Sequence, residues 1–197
     1  VDDARFEIVS GVLKLKDGVS LDREAASSVD LVITVTDGGG LSAQRSVTIT
    51  VGDANEAPTA PVVTGTTVAE NAAGAVIGTV TASDPDGDAL SVTVDDARFE
   101  VVGGQLKLRD GISLDHEAEP SVTVVVTAVD AGGLTASTLV TISVTNVNEV
   151  PAVPVLDGTS VAEGVAGAVV GLVTVADPDA GDTVELTVDD ARFEIVD

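Results

Sequence analysis

The side chains able to do chemistry in this chain are almost all oxygen donors. It carries 33 Asp and Glu against nine Lys and Arg, one His and no Cys. The acids are grouped. Glu70 stands by itself, Asp84-Pro85-Asp86-Gly87-Asp88 packs three carboxylates into a turn-forming run, Asp115 and Glu117 flank His116, Asp130 precedes Ala131-Gly132-Gly133, and Asn146, Asn148 and Glu149 lead into Pro151. Crowded carboxylates repel one another, so a fold that gathers them needs a compensating cation. Without thiolates or recurring imidazoles the donors suit a hard ion, and Ca²⁺ accepts about six to eight such oxygens in flexible geometry. Calcium is the expected ligand.

The groups recur along the chain. Val1-Asp2-Asp3-Ala4-Arg5-Phe6-Glu7 returns from Val94 and again from Val188, giving periods of 93 and 94 residues, the size of a small β domain. Asn55-Glu56-Ala57-Pro58 matches Asn148-Glu149-Val150-Pro151, Leu21-Asp22-Arg23-Glu24 matches Leu114-Asp115-His116-Glu117, and Asp84-Pro85-Asp86 matches Asp177-Pro178-Asp179. Boundaries at the proline-bearing segments make residues 59–151 one whole module. Residues 1–58 are then the C-terminal half of a preceding module, and 152–197 the N-terminal half of a following one.

Strands must position these acids. Val76–Ala82, Leu90–Val94, Val122–Val129 and Leu139–Val144 alternate apolar with small polar residues at period two and are rich in β-branched side chains. Gly103-Gly104 between Phe99–Val102 and Gln105–Leu108 predicts a tight hairpin. No window carries a helical i, i+3, i+4 stripe. About seven strands in one period predict an all-β chain of tandem antiparallel Greek-key β-sandwiches. Phe6, Phe99 and Phe193, the only aromatics, recur at one position and are expected in the cores. Asp2-Asp3, Asp95-Asp96 and Asp189-Asp190 are expected to be turn residues, and His116, standing where Arg23 stands one period earlier, a solvated surface residue.

A net charge of −24 argues against nucleic acid or an anionic membrane surface as a partner, because both would repel the chain. The 44% hydrophobic content nevertheless supplies apolar surface enough for packed cores. No apolar run approaches the length of a membrane span. Without disulfides, bound metal is the expected source of extra stability.

Taken in order, Glu70-Asn71, Asp84-Pro85-Asp86, Leu114-Asp115-His116-Glu117, Asp130-Ala131-Gly132 and Asn146-Val147-Asn148-Glu149-Val150-Pro151 resemble the calcium motifs of cadherin repeats. The resemblance covers the whole chain in one full and two partial copies. It implies calcium ions at the junctions between modules. By position, the first junction would use Asp22, Glu24, Asp53, Asn55, Glu56, Asp84, Asp86 and Asp130. The second would use Glu70, Asp115, Glu117, Asn146, Asn148, Glu149, Asp177 and Asp179. Asp37 would serve a junction before the chain and Glu163 one after it.

Some residues depart from that pattern. Asn146 stands where Asp53 stands in the first linker, removing one formal charge, and Glu56 and Glu149 occupy positions where the family has Asp. The Asp-Pro-Asp-Gly-Asp form resembles cadherin-like modules of large bacterial surface and secreted proteins. The implied function is an extracellular, calcium-stiffened structural or adhesin array, a rod, stalk or fibre in cell adhesion or a biofilm matrix. Its partners would be calcium and neighbouring repeats. Alternatives are a fibre subunit whose half-modules are completed head to tail by identical chains, and the stalk of a large secreted enzyme. Repeated carboxylate pairs with no dedicated base argue against catalysis within the chain, and the absence of Trp and Tyr argues against sugar stacking.

Overall fold

Alternation at period two becomes strands along the whole chain. The computed structural model describes residues 1–196, and among these it contains strands and turns but no helix. Residue 197, the last of the expected third segment, lies outside the described residues. The chain divides into two compact units. One comprises Val1–Thr59, Ala82–Ser91 and Ala128–Ala136, the other Ala60–Thr81, Val92–Thr127 and Ser137–Asp197.

In the first unit, β1 (Phe6–Val9) pairs with β2 (Val12–Leu15), and β3 (Ser28–Thr36) with β4 (Ser42–Thr50), both antiparallel. Phe6, Val29 and Leu31 form its buried centre, packed by Leu13, Leu15, Leu21, Ile49 and Val51. Phe6, Leu13, Leu15, Val29, Leu31 and Ile49 lie on the strands, and Leu21 and Val51 lie outside them.

Eight strands follow: β5 (Val62–Thr64), β6 (Thr67–Ala69), β7 (Val76–Thr81), β8 (Ser91–Val94), β9 (Phe99–Val102), β10 (Gln105–Leu108), β11 (Ser121–Val129) and β12 (Thr135–Thr145). One sheet has the order β5-β7-β10-β9 and the other β6-β12-β11-β8. Apolar faces meet in a core of Phe99, Leu106, Leu108, Val124, Val126 and Ile142 with their neighbours. The expected hairpin closes through Gly103 and Gly104, both at positive φ, as a two-residue turn between Val102 and Gln105 requires.

One count and one direction differ from expectation. The first strand of the sandwich is broken into β5 and β6, which join different sheets, and β6 pairs with β12 in parallel, whereas β5 with β7, β7 with β10 and β9 with β10 pair antiparallel. The crossing occurs where backbones nearly touch: a Cβ on Gly78 would lie 2.0 Å from the Thr64 carbonyl oxygen, and one on Gly65 would lie 2.6 Å from that of Ile77. Only glycine permits that approach.

The repeated phrase forms a turn, as expected for its aspartates. Phe6, Phe99 and Phe193 N–H groups donate to the carbonyls of Asp3, Asp96 and Asp190 at 3.2, 3.1 and 3.0 Å. Arg5, Arg98 and Arg192 close on the same three carboxylates at 2.7, 2.7 and 2.6 Å. The preceding Asp2 and Asp95 accept from Val32 and Val125 N–H at 2.8 Å, tying each turn to β3 or β11.

Core burial of the three phenylalanines requires correction. Phe99 is 0% exposed, whereas Phe193 is 47% exposed. Phe99 packs in one core with Leu106 and Leu108 of β10, Val124 and Val126 of β11 and Ile142 of β12. The last repeat copy forms only the short antiparallel pair β13 (Val155–Leu156) and β14 (Val173–Thr174).

Candidate metal centres

Each compact unit holds a cluster of acids drawn from distant parts of the sequence. In the first unit, ligand oxygens of Glu24, Asp53 and Asp86 lie within 4.8 Å of one another. Glu24 belongs to the turn before β3, Asp53 to the segment after β4, and Asp86 to the turn between β7 and β8. Asx turns fix the last. Asp84 Oδ1 accepts from Asp86 N–H at 3.0 Å, which fixes the two aspartates in one turn.

The linker is fastened to this cluster by hydrogen bonds. Glu56 N–H donates to Asp86 Oδ2 at 2.9 Å, and the Asn55 side-chain amide donates to Asp130 Oδ2 at 2.8 Å. Asp130, 6% exposed, also accepts from Leu134 N–H at 2.7 Å. Burial alone would raise the Asp130 pKa. The Asn55 amide and the N–H groups of Leu134, Gly133 and Gly132 outweigh it and hold the carboxyl below its usual range. Gly132 makes room for Asn55, since a Cβ there would lie 2.5 Å from Asn55 Oδ1. Glu56 responds in the opposite sense: burial, then the charges of Asp86 and Glu24, push its carboxyl up.

In the second unit, oxygens of Glu70, Glu117, Glu149 and Asp179 lie within 4.8 Å of one another. Glu70, 2% exposed, follows β6 immediately and is anchored by two backbone donors, Val147 N–H at 2.6 Å and His116 N–H at 2.7 Å. Those donors favour the anion and hold its carboxyl low. Glu149 N–H donates to Asp179 Oδ2 at 2.7 Å, and the Asn71 amide to Glu149 Oε1 at 2.6 Å. Burial, together with the charges of Glu70 and Glu149, raises the Glu117 carboxyl.

Of the sequence-derived set, Glu24, Asp53, Asp86, Glu70, Glu117, Glu149 and Asp179 fall in these two clusters, and the others lie outside them or around them. Asp22 and Asp115 each turn one oxygen onto a backbone N–H three residues on, of Ala25 at 3.0 Å and Ala118 at 2.9 Å. Asn148 donates to the Glu149 carbonyl at 3.1 Å, as Asn55 does to Glu56 at 3.3 Å. Asn146 is exposed. Asp37 caps its own loop by accepting from Gly39 and Leu41 N–H, both at 2.9 Å, and neither Asp37 nor Glu163 falls in a cluster. His116 is not a free surface residue. It is half-buried, its Nδ1 lies 2.7 Å from the Val144 carbonyl oxygen, and its N–H holds Glu70.

The donor chemistry fits a hard divalent cation. Asp84 Oδ2, Asp86 Oδ1, Glu149 Oε2 and Asp179 Oδ1 are buried and have no hydrogen-bond partner. Buried polar atoms are nearly always paired, and an unpaired buried carboxylate oxygen is costly. Asp86 belongs to the first cluster and Glu149 and Asp179 to the second, and Asp86 and Asp179 stand at matching positions of successive repeats.

No family model matches the chain. Protocadherin Fat 4 of Mus musculus is 34% identical over 167 residues, 76% of this chain and 3% of that protein. The chain therefore spans a small fraction of the curated relative. Among solved structures, Protocadherin Gamma B2 extracellular cadherin domains 3-6 superpose with a TM-score of 0.65 at 26% identity, covering 89% of this chain and 45% of that one. The Protocadherin GammaB4 extracellular domain does so with a TM-score of 0.65 at 27% identity, covering 92% and 31%. Two β-sheets packed as a sandwich, a repeat of domain length and these superpositions agree: the chain is built of cadherin-like domains.

Proposed function

We propose that this chain is a segment of an extracellular adhesive array whose cadherin-like modules, 1–58, 59–151 and 152–197, are stiffened by calcium. The observation that carries the reading is the set of four buried carboxylate oxygens without partners: Asp86 Oδ1 in the first cluster, Asp84 Oδ2 in the same turn, and Glu149 Oε2 and Asp179 Oδ1 in the second cluster. Glu24, Asp53, Asp84 and Asp86 would hold ions in the first cluster, with Glu56, Asn55, Asp22 and Asp130 around them. Glu70, Glu117, Glu149, Asp177 and Asp179 would do so in the second, with Asp115, Asn146 and Asn148 beside them. Asp37 and Glu163 would act in the same way for further modules. Bound calcium supplies positive charge that lets these acids lie together, so ion binding and ordering of the linkers are one equilibrium. No catalytic role is assigned to any residue. A bacterial surface or biofilm setting rests on the Asp-Pro-Asp-Gly-Asp form alone.

Small-angle scattering and thermal melting of the chain with calcium and with chelator test the reading. Calcium should lengthen the maximum dimension and raise the melting temperature. Unchanged length and an unchanged melting point would overturn it.

A second reading concerns apolar faces. Val169, Leu172 and Phe193 are exposed in the last repeat copy, while Val35 and Leu41 are exposed in the first. In the central copy, β7, β6 and β8 pair with β10, β12 and β11. A second copy of the chain would pair with these exposed faces head to tail. Concentration-dependent mass in sedimentation supports that reading, and a monomer at all concentrations removes it.

A further inference from the structure

One face of the central module is set apart by what it lacks. In a chain that is 21% charged, the four strands of the sheet β6-β12-β11-β8 contain no Asp, Glu, Lys, Arg or His. The opposite sheet carries Glu100 and Lys107, bridged at 3.4 Å. Burial alternates along β11 and β12, so Thr123, Ser137, Leu139 and Thr141 are exposed while Val124 and Val140 are buried. β11 and β12 are the inner strands of their sheet, so this surface is a sheet face and not an edge seeking a partner strand.

Hydroxyls on the face satisfy one another. Thr123 Oγ1 lies 3.2 Å from Thr141 Oγ1, and Thr127 Oγ1 lies 2.9 Å from Ser137 Oγ. Val125 and Leu139 stand between the two pairs, and Leu139 is 70% exposed. The centre is therefore apolar and its polar flanks are already paired. Covering paired hydroxyls costs less than covering free ones, because each keeps its partner.

The first repeat copy differs at this place. Asp30 stands where Thr123 does, and Ser46 where Leu139 does. Asp30 accepts from Thr48 Oγ1 at 2.6 Å, so a sheet of this kind folds with a carboxylate there. The uncharged, leucine-centred face belongs to the central copy and is not a requirement of the repeat.

Charge selects the occupant. With a net charge of −24, two copies of the chain repel over most of their surface and approach best where neither presents a carboxylate. This face meets that condition on both sides of a two-fold axis, where each copy offers the same patch. Asp95, just past β8 at the margin of the sheet, has one oxygen engaged by Val125 N–H at 2.8 Å.

We propose that two copies of the chain pair laterally through this face, β11 and β12 of one against β11 and β12 of the other, with Leu139 at the centre. A face four strands wide and about nine residues long covers at most about 500 Å², less than the roughly 800 Å² per partner of a stable interface. The pairing is accordingly weak and reversible. It goes beyond the calcium reading, and it uses a surface distinct from the Val169, Leu172 and Phe193 of the head-to-tail reading.

Sedimentation of the whole chain in calcium over a range of concentrations tests this. The parent should form a reversible dimer. Leu139→Ser, alone and with Thr123→Asp, installs the residues of the first copy and should raise the dissociation constant roughly tenfold to a hundredfold, the scale of one leucine lost from a contact. Melting of these variants should match the parent, since both positions are exposed. Val102→Asp, at a 55% exposed position of the opposite sheet, should change nothing. Added salt should leave the association unchanged or strengthen it, because no ion pair spans the contact and screening reduces the net repulsion. Phe193→Asp separates the two modes of association: it breaks head-to-tail pairing and leaves lateral pairing intact. Lateral pairing is overturned if the parent is a monomer at all concentrations, if Phe193→Asp abolishes the association, or if Leu139→Ser associates as the parent does. It is overturned equally if Val102→Asp weakens association as much as the face variants do, which would mean diffuse repulsion.

Discussion

Two acidic clusters built from the same motifs are held in different ways, and the differences fall at matching positions. In the first, Arg23 lies 3.5 Å from Asp53 and part of the negative charge is neutralised within the protein. In the second, His116 and Asn146 replace that pair, and His116 turns inward to the Val144 carbonyl. The first cluster is fastened from the linker side by Asn55 on Asp130; the second is fastened from below by Glu70, buried and gripped by two backbone donors. A motif that reads the same twice therefore yields one cluster with an Arg ion pair and one without. The second should be the more calcium-dependent.

The largest expected effect breaks that comparison at Glu70. Glu70→Ala leaves the Val147 and His116 N–H groups without their acceptor. Each buried donor without a partner costs about 1–3 kcal/mol. Glu70→Ala should also abolish the tightest calcium binding of the second cluster while leaving the first intact. Glu24→Ala in the first cluster removes a ligand without orphaning a backbone donor, since no hydrogen bond to its side chain is present among the described residues. It should weaken calcium binding yet leave the melting point in chelator nearly unchanged. Equal losses of apo stability in the two variants would show that Glu70 is not the anchor its two donors imply.

A smaller effect sharpens the comparison at the linker. Asn146→Asp adds a carboxylate to the cluster that lacks one, and Asp53→Asn removes one from the cluster that has it. The first should strengthen calcium binding and the second weaken it, each by roughly tenfold, the scale on which ligand charge tunes such sites. In chelator the signs reverse for Asn146→Asp, which adds like charge with no Arg beside it and should lower the melting point. Calorimetric titration with and without chelator-matched melts reads both. No change in affinity for Asn146→Asp would mean that a carboxylate at this position does not reach the cluster.

How much of this was legible in the sequence depends on whether a feature is local. Strand alternation, the Gly103-Gly104 hairpin and the Asp-Pro-Asp turn are written in consecutive residues, and each appears where expected. Phe99 is buried, but Phe193, the same residue in the same phrase, is not, because burial belongs to strands that follow a residue and not to the residue itself. His116 looked expendable beside Arg23, since nothing local reveals that its N–H meets Glu70, 46 residues away. The break between β5 and β6 was hidden because it depends on two backbones meeting at Gly65 and Gly78.

The smallest effect tests the fastening peculiar to the first cluster. A Cβ at Gly132 would lie 2.5, 2.7 and 2.8 Å from Asn55 Oδ1, Cγ and Nδ2, closer than side-chain atoms can sit. Gly132→Ala must therefore swing the Asn55 side chain away and break its 2.8 Å bond to Asp130. Asp130 keeps its bond from Leu134, so the loss is one partly buried, charge-assisted hydrogen bond, about 1.5–3 kcal/mol at most and less where water replaces it. Gly39, the matching residue one period earlier, supplies the control. A Cβ there meets only Asp37 Oδ1, at 3.4 Å, an ordinary contact. Gly39→Ala should be nearly silent, whereas Gly132→Ala should lower the melting point by a few degrees, the shift about 1 kcal/mol gives in a chain of this length. It should also weaken calcium binding at the first cluster and leave the second unchanged, because freeing Asn55 loosens the linker that carries Asp53 and Glu56. If the two glycine variants melt together and bind calcium alike, the Asn55–Asp130 bond does not fasten the linker, and the contrast between the clusters reduces to Arg23 alone.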